Sequence, residues 1–130
     1  MNLNHCPLTF DAKEFRTRFN QINGLTLRCL TLQQTLIAEE AKEVAEAAED
    51  LKENMTSKRA KTHLLKELAD LVYVCYQMAA AFDWDLTEAT TRVHNSNLSK
   101  LGSDGKPIYR EDGKILKGQN YFEPTLIDLV

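Results

Sequence analysis

Four carboxylates in this chain stand where helix geometry puts apolar side chains: Glu40, Glu43, Glu67 and Asp70. Both pairs are spaced i, i+3, so each pair falls on one side of a helix. At about 100° per residue, Gln33, Ile37, Ala41, Val44, Ala48 and Leu51 share an arc about 80° wide. Leu36 and Ala47 extend that arc; Glu40 projects inside it and Glu43 lies on its edge, with Glu39 and Glu46 further round. On the next segment Leu64, Leu65, Leu68, Leu71, Val72, Cys75, Met78, Ala79 and Phe82 make a wide apolar face, which predicts a well-buried central helix. Glu67 projects between Met78 and Val74, and Asp70 just past Val74. Carboxylates gathered at a core edge repel one another and lose hydration, at several kcal/mol for one left uncompensated. Such a cluster takes up protons or binds a cation. An all-oxygen set suits Mg²⁺, with Mn²⁺ as the alternative, over Zn²⁺, and no His or Cys is read at coordinating spacing.

The ordinary reading of a Glu-rich helix is a solvated face laced with pairs such as Glu39–Lys42 or Lys66–Asp70. For one glutamate that reading wins. Two acid pairs, each intruding on the apolar sector of neighbouring helices, favour a metal instead.

The elements must bring those pairs together. No proline interrupts the chain between Pro7 and Pro107, which suits long helices. Helices are predicted over about Asp11–Ile22, Thr31–Lys52, Lys58–Phe82 and Leu86–Leu101, with Thr9 or Asp11, Thr31 and Asp85 as caps. The short break at Asn54–Ser57 makes the second and third helices antiparallel neighbours, so their acids can face each other. After Gly102, turn signals at Asp104-Gly105, Lys106-Pro107, Asp112-Gly113 and Glu123-Pro124 predict an extended tail or a small β-hairpin across Glu111-Asp112-Gly113. The expected division is residues 1–102 as a helical catalytic domain and 103–130 as a tail packed on it or on a neighbouring subunit. The fold class expected is all-α, a four-helix bundle.

At 130 residues the chain is one domain. Its net charge of −3 excludes an ordinary nucleic-acid binder, and a polyanionic substrate would need a metal or a local basic patch. Cys6, Cys29 and Cys75 match neither a disulfide framework nor a zinc knuckle, so reduced thiols in a cytoplasmic protein are expected. No leader is read in Met1–Thr9, and no apolar run reaches membrane-spanning length.

Glu39-Glu40-x-x-Glu43 followed by Glu67-x-x-Asp70 resembles the signature of the MazG-type all-α nucleoside triphosphate pyrophosphohydrolases, a superfamily that also holds dimeric dUTPases and phosphoribosyl-ATP pyrophosphatases. Val93-His94-Asn95-Ser96-Asn97-Leu98-Ser99-Lys100-Leu101 is similar to the family's fourth-helix segment, and the 104–118 stretch to the tail of compact MazG proteins of phages and cyanobacteria. The resemblance implies a four-helix protomer forming homodimers or homotetramers. It implies Mg²⁺ held by Glu40, Glu43, Glu67 and Asp70, with Glu39 orienting or deprotonating water. It also implies cleavage of a (deoxy)nucleoside triphosphate to monophosphate and pyrophosphate.

Lys100 is then the phosphate-binding cation and Asn97 the base or sugar contact, with Arg92 and Asn95 assisting; a lysine near a helix end also simply complements the dipole. Gln33 could read a base edge, or be a core-edge amide with backbone partners. Phe82 and Trp84 fit core packing better than base stacking. Lys106, Arg110, Lys114 and Lys117 make the tail basic and fit a lid over phosphates or a solvated hairpin. Two competitors stand beside the main reading: a phosphoribosyl-ATP pyrophosphatase, and a non-catalytic helical metal-binding or oligomerisation module.

Overall fold

The computed structural model describes residues 6–130; Met1–His5, to which the expectation of no leader partly refers, lie outside them. The chain is all-helical. Its elements are α1 (Pro7–Arg18), α2 (Leu27–Glu53), α3 (Lys58–Phe82), α4 (Leu86–Leu98) and a 3-10 turn, η1 (Ile127–Leu129). No helix among the described residues is long and apolar enough to cross a membrane.

Local chemistry sets the ends. Pro7 opens α1, where its fixed φ is pre-organised and its missing N–H is not needed. This start precedes the expected Asp11, and the helix also stops at Arg18 rather than Ile22. The chain turns there because the Arg16 guanidinium donates to the Ile22 carbonyl and to Asn23 Oδ1, pulling residues 19–24 back over the helix. α2 begins at Leu27, not Thr31. Thr26 is the cap, its hydroxyl accepting the Cys29 N–H at 3.1 Å, while Thr31 lies inside the helix and offers its carbonyl to Thr35. α3 has the expected bounds, capped by Ser57 accepting from Ala60 N–H and closed by Asp83 at φ 58. Asp85 caps α4 through Glu88 N–H at 2.9 Å, as expected. The helix ends at Leu98, short of the expected Leu101, because the Ser99 hydroxyl turns back to the Ser96 carbonyl.

The chain divides into two compact units, residues 1–84 and 85–130. In the first, α3 packs against both α1 and α2. The Gly24 N–H donates to the Ala81 carbonyl at 2.7 Å, pinning the start of α2 to the end of α3. A four-residue link joins their other ends, so the two helices run antiparallel, as the short break implied. Cys29, Ala81 and Phe82 form a small core with Met78 and Trp84 packed on it, which assigns both aromatics to packing. The α1–α3 seam combines an edge-on Phe15–Tyr73 ring contact with buried polar bonds: Arg16 Nη1 donates to Gln77 Oε1, and Gln77 Nε2 donates to the Ala12 carbonyl.

One expectation fails here. The apolar face of α3 is not wholly buried: Leu65 is 68% exposed, Val72 45% and Leu68 44%. The face is wider than the two helices packed on it can cover.

In the second unit, the segment after α4 folds back on that helix. Ser96 Oγ donates to the Phe122 carbonyl, Phe122 N–H donates to Ser99 Oγ, and Arg92 binds Asp128 and the Thr125 carbonyl. Gly118 allows this approach, since a Cβ there would lie 2.3 Å from the Leu101 carbonyl oxygen. Of the expected hairpin, one antiparallel bridge forms, Tyr109 with Ile115, closed by a turn at Gly113 (φ 88).

Candidate metal centre

Three of the four singled-out carboxylates meet. Glu40 of α2 and Glu67 and Asp70 of α3 each offer an oxygen within 4.8 Å of the other two. The antiparallel seam positions them: Glu40 lies on the inward side of α2, and i, i+3 spacing turns Glu67 and Asp70 toward it together. Glu67 is the deepest, 4% exposed. Its Oε2 and Glu40 Oε2 are buried without a hydrogen-bond partner among the described residues. Buried carboxylate oxygens are ordinarily satisfied, so two orphans aimed at one place fit a group that supplies positive charge. The donor set is all oxygen, which matches a hard divalent cation.

The electrostatics agree. Burial, then the adjoining Glu43, then Asp70 and Glu67 push the Glu40 carboxyl above the usual glutamate range. Glu43 itself is exposed and outside the three-oxygen group, as is Glu39. Gln33 is 1% exposed, and among the described residues its Oε1 has no hydrogen-bond partner, backbone or other.

One neighbour and one contact are absent from the sequence reading. His63 Nε2 lies 3.0 Å from Glu67 Oε1, at i, i+4 spacing, although no histidine was expected near the acids. Lys66 does pair with Asp70, at 2.7 Å, but it also reaches Glu67 Oε1 at 3.3 Å. The i, i+4 rule applied to histidine as well as to the acids finds His63; the Lys66–Glu67 contact is between adjacent residues and lies outside that rule.

Arg92, Asn95, Asn97 and Lys100 belong to the second unit. Asn95 and Asn97 are exposed and Lys100 half-buried. Arg92 is committed to Glu88 and Asp128, which hold its pKa above the usual arginine value.

An antiparallel helical seam carries an oxygen-only acid cluster that could hold a hard cation at its edge. The sequence pattern of the phosphoribosyl-ATP pyrophosphohydrolase family matches residues 12–97, from α1 into α4. The chain belongs to this family, which lies within the MazG-like all-α pyrophosphohydrolase superfamily. No curated protein matches the chain.

The raised Glu40 pKa carries a stability consequence with a definite sign. A carboxyl whose folded pKa lies above its unfolded value contributes stability at low pH that is lost as pH rises through the folded pKa. With divalent cations chelated, Glu40→Gln should therefore be more stable than the parent at pH 7. The advantage should vanish below the ordinary glutamate range. Urea unfolding from pH 3.5 to 8 checks this, and a less stable variant at pH 7 contradicts it.

Proposed function

We propose that the chain is a Mg²⁺-dependent nucleotide pyrophosphohydrolase of the MazG type, splitting the α–β anhydride of (deoxy)nucleoside triphosphates to release monophosphate and pyrophosphate. The observation that carries this reading is the convergence of Glu40, Glu67 and Asp70 with two orphaned buried oxygens. Glu67, held rigidly by burial, would be the fixed ligand, with Glu40, Asp70 and the adjoining Glu43 completing the set. Such a cation supplies charge neutralisation to the phosphates and lowers the barrier to attack at phosphorus. The protein's own part is positioning. Glu39 would orient the attacking water and accept its proton as the new P–O bond forms and the α–β bridging bond breaks. Asn97 and Lys100 would hold sugar or base and phosphate, with Asn95 beside them; Arg92 already holds Asp128.

A second reading keeps the reaction and changes the substrate to phosphoribosyl-ATP. The family pattern over residues 12–97 favours it. Both substrates present a triphosphate to the same acids, so a direct comparison of turnover separates them.

The exposed α3 residues Leu65, Leu68 and Val72 fit an interface between copies of this chain, as a homodimer or homotetramer. Nothing in the charge balance favours nucleic acid. Mg²⁺ is the expected ion, Mn²⁺ the substitute, and the cytoplasm the expected compartment.

Incubation with Mg²⁺ and a panel of nucleotides should yield pyrophosphate from at least one of them; orthophosphate alone, or no turnover, contradicts the reading. Asp70→Asn should lower kcat/KM by about 10²- to 10³-fold, the equivalent of several kcal/mol of charge stabilisation. In sedimentation equilibrium the parent should be a dimer or larger, and Leu65→Glu should raise the dissociation constant at least tenfold. A monomeric parent contradicts the interface.

A further inference from the structure

Beside the acid cluster, α3 carries a row of the opposite sign. Lys58, Arg59, Thr62, His63 and Lys66 line a shallow groove along α3 that is open to solvent. Steps of three and four residues keep 59, 63, 66 and 70 on one side of the helix, so the basic groove runs directly into the carboxylates. Lys66 is the junction, its Nζ 2.7 Å from Asp70 Oδ2 and 3.3 Å from Glu67 Oε1. Lys58 and Arg59 have no carboxylate partner among the described residues, so their charges face the groove uncompensated.

Two facts oppose each other at Lys66. Its single charge leaves Glu67 Oε2 and Glu40 Oε2 orphaned, so the acids retain capacity for a stronger cation. An ammonium and a divalent ion on the same oxygens repel at close range, and the ammonium rides a flexible, half-exposed stem that moves readily. It already borders the groove that Lys58 and Arg59 line. Cations arrayed there suit the negative charge that a departing polyphosphate carries, and a guanidinium can grip phosphoryl oxygens in pairs.

We propose that Lys66 is an exchange cation: it holds Asp70 and Glu67 until a divalent ion takes their oxygens, then turns into the groove and, with Arg59 and Lys58, binds the leaving pyrophosphate. This assignment rests on the pyrophosphohydrolase reading and names the groove as the leaving-group site. His63, on Glu67 Oε1 at 3.0 Å, keeps that carboxylate aimed at the seam.

The test measures binding rather than turnover. Mn²⁺ affinity is read by titration calorimetry without nucleotide, and inorganic pyrophosphate affinity with Mn²⁺ present, for the parent, Lys66→Met, Lys66→Gln and Arg59→Gln. Both Lys66 variants should bind Mn²⁺ at least fivefold more tightly, because a competitor is gone, and bind pyrophosphate at least tenfold more weakly. Arg59→Gln should leave Mn²⁺ unchanged and weaken pyrophosphate alone. A lysine that merely supports the carboxylates would give looser Mn²⁺ in both Lys66 variants, and that result overturns the proposal. Unchanged pyrophosphate binding, or a parent that binds no Mn²⁺, overturns it as well. The expected pattern in a parent that splits no nucleotide would instead sink the pyrophosphohydrolase reading while leaving the exchange intact.

Discussion

A carboxylate cannot sit in a helix seam without compensation, and Glu67 sits there almost wholly buried. That burden organises the first unit. Glu40 arrives from the opposite helix and Asp70 from the next turn, so the local charge deepens rather than cancels. Lys66 and His63 answer part of it from the same helix. What they leave is a pair of oxygens without partners among the described residues and a Glu40 carboxyl whose pKa is raised by burial and its acidic neighbours. A fold built for stability alone would place leucines at such positions. The retained charge is intelligible as a cation site.

The scaffold makes the convergence rigid. A four-residue link at one end and the Gly24–Ala81 backbone bond at the other fix the register of α2 against α3. The Arg16–Gln77 network locks α1 onto the same central helix through buried polar contacts, each donor meeting a carbonyl or amide oxygen. Acids on two long helices clamped at both ends keep their separation, which is what in-line chemistry at a phosphate asks of its ligands. The second unit is organised differently, as a helix wearing its own C-terminal segment, tied by Ser96, Ser99 and the Arg92–Asp128 pair.

Much of this was legible in residue spacing. The bounds of α3 follow from Ser57 and Asp83, and the spacing of Glu40, Glu67 and Asp70 marks the seam, while Glu43 of the same pattern stays exposed. The start of α2 was not legible, because Thr26 and Thr31 are equally good caps; the choice is made by Gly24 bonding to Ala81, a contact far away in sequence. Nor does periodicity tell an apolar face that is buried from one left exposed, and Leu65 and Val72 are of the second kind. Lys66 was visible only as half of a surface pair with Asp70. Its second bond, to Glu67, depends on how deep that glutamate lies, which spacing does not encode. The tail's single bridge in place of a full hairpin reflects the same limit: its turn residues were plain, but the backbone pairs that lengthen a strand depend on what the strand packs against.

The most direct measurement is the anomalous difference map from crystals grown with Mn²⁺. A peak about 2.0–2.3 Å from oxygens of Glu40, Glu67 and Asp70 is the expected result. A map with no peak at the α2–α3 seam, from a crystal in which those three side chains are ordered, would contradict it.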